Sequence, residues 1–543
     1  MRGIRVCLLL GALALAGCDR GKPSDAGATG AGAQGEVYRL PLTDNPVTLD
    51  PARFTDVNSE GVAARIFSTL VRLDAGLQPA PDLAESWEIS PDGLVYTFHL
   101  RRGAKFHNGR EVVADDVRFS YERLLLKDTL SHRAWVVDHI AGAGALRDSK
   151  ADSLAGLETP DAYTVRLRLE EPFGPLLSLL AMTNAAILPQ EEVRRATDVP
   201  FGRRPVGSGP FRFVQWRDND IVELTANEDY YAGRPALAGL QFRVIKEPLV
   251  AFQEYQAGHL EHCAVPEGYL ETVRRGPRKA ELLSAATLST YYLGITMTHE
   301  PAGSNVHLRR AMNYAIDRRF LCEKLLGGAH TAARGVLPPG LAAYNADLKG
   351  YAADPARARE ELRLSGFGPG GRELPEMVLY FVNQSPGPQV VQAVQNDLRK
   401  VGIPVRLRPL DLGALLAATG KAEPDLFRLA WIGDFPDADN FLQLFHSGRH
   451  GSAGNRAHYT NAEVDKLLDS SRRETDPARR IELLRQVEQI VVDDAPWIFL
   501  SHGQTHLLVQ PYVQNFAIGP MDVGASVNHV DFTKVSFTAA KGK

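Results

Sequence analysis

Residues 92–109, Asp-Gly-Leu-Val-Tyr-Thr-Phe-His-Leu-Arg-Arg-Gly-Ala-Lys-Phe-His-Asn-Gly, decide the fold class of this chain. Within them Tyr96, Phe98 and Leu100 alternate with other residues, which is typical of a strand with one buried face. The closing Asn-Gly pair is a strong signal for a tight turn. Shortly afterwards Asp115 opens a helical pattern, and its acidic start suits a helix N-terminus. A strand, a turn and a helix in so short a stretch predict a mixed α/β fold.

The length of 543 residues lies well beyond the roughly 250–300 at which one hydrophobic core stops growing, so at least two domains are expected. Further predicted elements are the strands Ile221–Thr225 and Met377–Val382 and a helix from about 476 to 492. Leu176–Leu188 is apolar but contains serine, threonine and asparagine, so it predicts a buried helix and not a membrane span. The net charge of −4 argues against a nucleic-acid partner, which normally meets a basic face.

The N-terminus predicts export. A basic start is followed by the small apolar run Val6–Ala16, which suits a secretory signal, and then by Gly17 and Cys18. The run resembles a bacterial lipobox, so residues 1–17 would be removed and Cys18 would carry lipid; an ordinary signal peptide is the alternative. Residues 18–35 are small and glycine-rich, which predicts a flexible linker. Asp19 resembles a signal for retention in the inner membrane, so an extracytoplasmic, lipid-anchored location is expected.

The common enzyme signatures are absent: no Walker loop, no Gly-x-Ser-x-Gly, no His-Glu-x-x-His and no metal-type cysteine spacing occur. We therefore expect no enzyme activity, no catalytic residue and no cofactor. The spacing of Asp434, Asp437 and Asp439 suggests a calcium loop at first sight. It places Pro436 and Phe445 where an EF-hand needs oxygen ligands, so calcium is not expected.

Two histidines and two cysteines are the remaining candidates for metal or redox chemistry. His259 and His262 are three residues apart and could share a helix face as metal ligands, but a surface loop is the preferred interpretation. Cys263 and Cys322 could form a disulfide in an exported protein or remain two buried thiols. The sequence leaves both alternatives open.

The segment around Asp434 differs from the rest because a carboxylate sits among aromatic residues, Trp431 and Phe435. A buried carboxylate is costly unless it is paired. If Asp434 is buried, a cationic side chain of the chain or a cationic ligand must neutralise it, or backbone amides of the turn must satisfy it. Asp437 and Asp439 are expected to cap the helix that follows.

A series of blocks carries a more specific signal: Pro81–Trp87, Asp92–Arg101, Ala104–Gly109, Pro205–Phe211, Ala226–Tyr231, Val306–Asp317, Gly335–Pro339 and Trp431–Asn440. In this order they resemble the family 5 solute-binding proteins, the extracytoplasmic subunits of peptide-type ABC importers. The resemblance covers nearly the whole mature chain. Asn108 departs from the family's usual aspartate but preserves the turn chemistry.

The resemblance implies a two-lobed periplasmic-binding-protein fold of type II, with an extra subdomain and a hinge between the lobes. By similarity the first lobe comprises residues 36–76, 200–285 and 505–536. Residues 77–199 would form the extra subdomain and 286–504 the second lobe.

In peptide-binding members the aspartate at the position that Asp434 resembles holds the peptide's α-ammonium group. The resemblance therefore implies Asp434 as a ligand anchor, with Trp431, Gly433 and Phe435 lining the same pocket. It implies a monomer that captures short peptides, or related amine-bearing solutes, and delivers them to ABC permease subunits. The alternatives are a metal chelate such as nickel as the ligand, or a non-transport receptor or chaperone.

Overall fold

The computed structural model describes residues 36–196 and 198–538. Their strands are β1 (Val37–Leu42), β2 (Val71–Leu73), β3 (Pro79–Pro81), β4 (Ala84–Ile89), β5 (Val95–Leu100), β6 (Leu157–Asp161), β7 (Thr164–Arg168), β8 (Phe211–Arg217), β9 (Ile221–Ala226), β10 (Gly239–Val244), β11 (His262–Ala264), β12 (Leu282–Ile295), β13 (His330–Ala332), β14 (Met377–Val382), β15 (Val405–Leu410), β16 (Leu426–Ile432), β17 (Trp497–Val509), β18 (Val513–Gln514) and β19 (Ser536–Phe537).

The helices are distributed among these strands. They are α1 (Val57–Ile66), α2 (Ala114–Leu125), α3 (Ala143–Arg147), α4 (Leu176–Leu180), α5 (Gln190–Arg195), α6 (Pro248–Gln256), α7 (Leu270–Arg275), α8 (Val306–Ala315), α9 (Arg318–Phe320), α10 (Pro355–Leu364), α11 (Gly387–Lys400), α12 (Leu412–Gly420), α13 (Asp439–Leu442), α14 (Ala462–Arg473) and α15 (Pro477–Asp494). None of the helices in the described part of the chain has the length and apolar character needed to span a bilayer.

The stretch that opens the α/β pattern folds as predicted. In β5 the side chains of Tyr96, Phe98 and Leu100 are buried, and the residues between them are partly exposed. The Asn-Gly turn closes with a hydrogen bond from the Gly109 N–H to the Phe106 carbonyl, 2.9 Å long. Helix α2 follows and buries one face against the same core.

Three main sheets organise the described residues. The strand order is β1-β10-β9-β8 in the first sheet and β4-β5-β7-β6 in the second, which is antiparallel throughout. The largest sheet has seven strands in the order β11-β17-β12-β16-β14-β15, with β13 paired to β17. Parallel pairs, such as β14 with β15, and antiparallel pairs, such as β12 with β17, occur together in it.

The largest sheet is covered on both faces, as its alternating side chains demonstrate. Tyr292 and Phe499 belong to one buried cluster, whereas their neighbours Leu293 and Ile498 belong to another. Because successive strand residues point to opposite faces, the two clusters lie on the two sides of the sheet. The first and second sheets each have a hydrophobic cluster of their own.

The segment Leu176–Leu188 is buried as predicted, but it is not one helix. Helix α4 ends at Leu180, and a short 3₁₀ turn at Thr183–Ala185 follows. The Asn184 side chain donates to the Pro51 carbonyl at 2.7 Å, so it binds a neighbouring segment. The polar residues of the segment Leu176–Leu188 therefore interrupt the helix, while its apolar residues fill the core.

Candidate ligand-binding site

Asp434 lies where the chain leaves the largest sheet. Strand β16 ends at Ile432, and the Gly433 N–H donates to the Leu288 carbonyl at 2.8 Å, which fixes the exit of the chain. Helix α13 begins five residues after Asp434. The Asp434 side chain is 31% exposed, so its carboxylate is half-buried.

The cation that neutralises Asp434 belongs to the chain itself. Arg133 Nη1 lies 2.9 Å from Asp434 Oδ1, and the Arg133 side chain is 16% exposed. The sequence left open whether a side chain, a ligand or backbone amides neutralise Asp434. In the structure a side chain of the chain itself, Arg133, pairs with one of the two carboxylate oxygens. Glu60 is electrostatically coupled to this pair: burial raises its pKa to about 7, with Arg133 opposing the rise and Asp434 adding to it.

The three residues expected beside Asp434 have different surroundings. Trp431 donates from its indole N–H to Asn440 Oδ1 at 2.7 Å and faces a cavity. Phe435 also borders this cavity but is 4% exposed and belongs to the hydrophobic cluster of the second sheet. Gly433 is buried behind the wall, where an added Cβ would lie 3.1 Å from the Phe441 ring.

The cavity at Asp434 has a volume of about 540 Å³, within the range of small-molecule sites. Its wall comes from two stretches far apart in sequence and is lined by Arg133, Trp135, Asp138, His139, Glu171, Phe173, Leu179, Trp431, Asp434, Phe435, Asp439, Asn440, Gln443, Leu444, Arg449, Ala453, Asp469, Arg472 and Arg473. Sequence reasoning missed the arginines on this wall. No local signal separates them from ordinary surface charges.

The two aspartates expected as helix caps have separate roles. Asp437 is not the N-cap of α13, because that position belongs to Ala438. It accepts from the Asp439 N–H at 2.8 Å and pairs with Arg480 at 2.7 Å. Asp439 does not cap α13, because its carboxylate is buried against Arg472 Nε at 2.9 Å. Burial raises the pKa of Asp439, while the Arg472 charge lowers it.

The predicted histidine and cysteine candidates lie elsewhere. His259 is exposed and pairs with Glu254 at 3.2 Å, but the surface-loop prediction is wrong for His262, which is buried in β11. Its Nδ1 is 3.0 Å from the Tyr38 hydroxyl, and burial lowers its pKa to about 4. Cys263 and Cys322 are two buried thiols without a disulfide.

Two further observations concern metal and the lipid site. Between residues 36 and 196 and from 198 to 538, no group of three or more His, Cys, Asp or Glu is arranged to hold a metal ion. Cys18, with the signal and the linker, falls outside the described residues.

Comparison with known proteins places this geometry in context. Residues 78–453 match the family profile described as bacterial extracellular solute-binding proteins, family 5 middle. The chain is 30% identical to di/tripeptide-binding protein 2 of Pseudomonas aeruginosa over 493 residues, which cover 88% of this chain and 91% of the relative. It is 29% identical to heme-binding protein A of Haemophilus influenzae over 540 residues, which cover 94% and 96%.

Solved structures of similar architecture are also found. DppA of Helicobacter pylori, in complex with the peptide STSA, is 27% identical and superposes with a TM-score of 0.74, covering 93% of this chain and 98% of that one. The unliganded open form of the periplasmic murein tripeptide binding protein MppA gives a TM-score of 0.80 over the same shares at 23% identity, which supports the fold alone.

Proposed function

The chain belongs to the bacterial extracellular solute-binding proteins of family 5, and on this premise we propose that it captures short peptides or related amine-bearing solutes for an ABC importer. The two-lobed α/β fold expected from the sequence is confirmed, and the family is one of binding proteins and not of enzymes. The ligand class is the proposal, and several relatives named for di- or tripeptide binding support it.

The observation that carries the proposal is the half-buried carboxylate of Asp434 on the wall of the cavity. Its Oδ1 is held by Arg133, and part of the carboxylate remains accessible. A primary ammonium group that enters the cavity gains a charge-assisted hydrogen bond there, about twice as strong as a neutral one. Trp431 would lie along the ligand, whereas Gly433 and Phe435 would support the wall.

We further propose that strands β12 and β17 form the hinge. The predicted boundaries of the second lobe, 285/286 and 504/505, fall inside these two strands, and Ala286 is paired with Gln504 across them. The pairing is irregular between Ala286 and Thr290, next to this crossing. With residues 36–76, 200–285 and 505–536 as the first lobe and 77–199 as the extra subdomain, bending here would close the lobes on the ligand.

Membrane attachment through Cys18 and delivery to a permease complete the proposal. A lipid anchor and a linker of residues 18–35 would keep the monomeric receptor near its transporter. Mass spectrometry of the mature N-terminus tests the anchor: acyl chains on Cys18 support it, and a start at any other residue contradicts it.

Calorimetry with trialanine and N-acetyl-trialanine tests the anchoring role of Asp434. The free-amine peptide should bind at least about 30-fold more tightly, because acetylation removes the charge that Asp434 pairs with. Asp434→Ala should abolish this difference, while Asp411→Ala, which removes only a helix cap at α12, should preserve it. Equal affinity of the unaltered protein for both peptides would contradict the proposal.

A metal chelate is the second candidate ligand, favoured by the relative named heme-binding protein A. Metal analysis and an absorption spectrum of protein purified without chelator distinguish the two. A stoichiometric metal or a Soret band would favour the chelate, and retained peptide in native mass spectrometry would favour the first proposal.

A further inference from the structure

A second cavity, of about 310 Å³, is lined by residues of helix α1, strand β2 and the C-terminal segment 528–534. None of the residues on its wall also lines the cavity at Asp434, and none belongs to residues 286–504, the proposed second lobe. Its volume lies at the lower end of the range for small-molecule sites. A ligand held there would therefore leave the proposed peptide site free.

Arg65 is a buried cation on the wall of this second cavity. It is 6% exposed; its Nη1 donates to the Val530 carbonyl at 2.9 Å and its Nη2 to the Val527 carbonyl. Its Nε has no hydrogen-bond partner, and its guanidinium forms no ion pair, among the residues that the structure describes. Burial lowers the pKa of Arg65 to about 10, and the charges of Asp522 and Asp531 oppose this shift from a distance.

Two other buried arginines show what Arg65 lacks. Arg309 and Arg318 are both 5% exposed, and both hold backbone carbonyls through Nη1, as Arg65 does. In each of them Nε donates as well, from Arg309 to the Asp494 carbonyl at 2.8 Å and from Arg318 to the Phe499 carbonyl. A buried donor without a partner costs about 1–3 kcal/mol. The free Nε of Arg65 therefore indicates an acceptor that comes from outside the described chain.

The charged side chains of the wall leave the second cavity positive, with three basic groups against two carboxylates. Both carboxylates already have partners: Asp82 accepts from the Tyr231 hydroxyl, and Asp531 pairs with Lys534 at 3.0 Å. Arg72 is exposed and forms no ion pair within the described part of the chain. It acts on Asp82 only from a distance, opposing the rise in the Asp82 pKa that burial causes.

We propose that the second cavity binds a phosphate group through Arg65 and Arg72. Arg65 offers its free Nε from helix α1, and Arg72 offers an unpaired guanidinium from strand β2. Because these donors come from two elements, they suit a tetrahedral oxyanion, whose oxygens point in several directions. A planar carboxylate is instead held side by side by a single guanidinium. A phosphate group fills only part of the cavity, so it is either the free ion or a monoester with a small organic body.

Calorimetry with glycerol 3-phosphate, inorganic phosphate and glycerate tests the proposal on the full chain. At least one of the two phosphate probes should bind saturably, and about tenfold or more tightly than glycerate, which carries a carboxylate on a similar body. The tighter phosphate probe identifies the source, either a phosphate monoester or the free ion. No saturable binding of either phosphate probe, or tighter binding of glycerate, would overturn the proposal.

Arg72→Gln removes the exposed cation of the site. It should weaken binding of the tighter phosphate probe by about tenfold or more, because a charge-assisted hydrogen bond is lost. Arg359→Gln is the matched control: Arg359 is exposed on α10, forms no ion pair with any described residue and lies off the cavity wall. Its affinity should stay within about twofold. Equal phosphate affinity of Arg72→Gln and the unaltered protein would overturn the site.

Crystals soaked in arsenate, a phosphate analogue that scatters X-rays anomalously, locate the anion without a substitution at the buried Arg65. The anomalous peak should lie at hydrogen-bond distance from Arg65 Nε. Asp434→Ala should keep the affinity for the phosphate probe within about twofold, because Asp434 lines the other cavity. A peak at Asp434 instead, or loss of phosphate binding in Asp434→Ala, would overturn the second site and would leave the peptide proposal to its own test.

Discussion

Glu488 and Asp434 are both carboxylates inside the protein, but different groups hold one oxygen of each. Glu488 is 1% exposed, and its Oε1 accepts from the Val336 and Leu337 N–H groups at 2.9 and 2.8 Å. Asp434 is 31% exposed and pairs with Arg133, 301 residues away. Backbone amides cannot move aside without unfolding a segment, whereas an arginine side chain can rotate. The first carboxylate therefore supports the fold, and the second can exchange its partner for a ligand.

Removal of Glu488 should give the largest loss of stability. Glu488→Ala leaves two buried N–H groups without an acceptor and opens a cavity, so we expect a loss of about 3–5 kcal/mol in the free energy of unfolding. Denaturant unfolding at pH 5 measures this loss. Glu482→Ala on the exposed side of α15 should stay within about 0.5 kcal/mol. A loss below about 1 kcal/mol would contradict the supporting role of Glu488.

The pH dependence of stability sharpens the same contrast. Burial raises the pKa of Glu488 to about 7 from the ordinary value of 4.5, while the Leu337 and Val336 amides oppose the rise. The folded state thus binds the Glu488 proton more tightly than the unfolded state does. The stabilisation that this proton gives is complete below pH 4.5 and is lost as the pH rises through 7. Glu488→Gln cannot titrate but keeps an acceptor for both amides.

The variant Glu488→Gln should match the unaltered protein at pH 4.5 and exceed its stability by about 3 kcal/mol at pH 8. Denaturant unfolding across this pH range, with Glu482→Gln as the control, measures the difference. Parallel stability curves for Glu488→Gln and the unaltered protein would show that Glu488 titrates normally.

Local patterns account for what the sequence predicted well. The period of two in Leu94–Leu100 and the helical spacing after Asp115 depend on neighbours along the chain, and both elements formed as predicted. Asp434 could be singled out because a carboxylate among aromatic residues needs a cation. The identity of that cation could not be predicted, because Arg133 approaches only through the tertiary fold.

The errors of prediction have the same origin. The sequence predicts a surface loop at His259 and His262, but β11 pairs with β17 and buries His262 against Tyr38. Aspartate is a common helix-capping residue, but the carboxylate of Asp439 pairs with Arg472, which is distant in the sequence. The local sequence predicts that these polar residues are exposed. They are buried because their partners come from elsewhere in the chain.

Arg133→Gln tests whether the partner of Asp434 is exchangeable. The pair is partly exposed, so its loss should change the free energy of unfolding by less than about 1 kcal/mol. The affinity for trialanine should instead rise by about three- to tenfold, because the ligand ammonium no longer competes with an internal cation for the carboxylate. Calorimetry measures this gain, and Arg275→Gln, which breaks an exposed pair with Glu271, should show none. Arg133→Gln could instead weaken trialanine binding as Asp434→Ala does. Arg133 would then hold the ligand and not compete with it. In that case exchange of Arg133 for a ligand would not be what distinguishes Asp434 from Glu488.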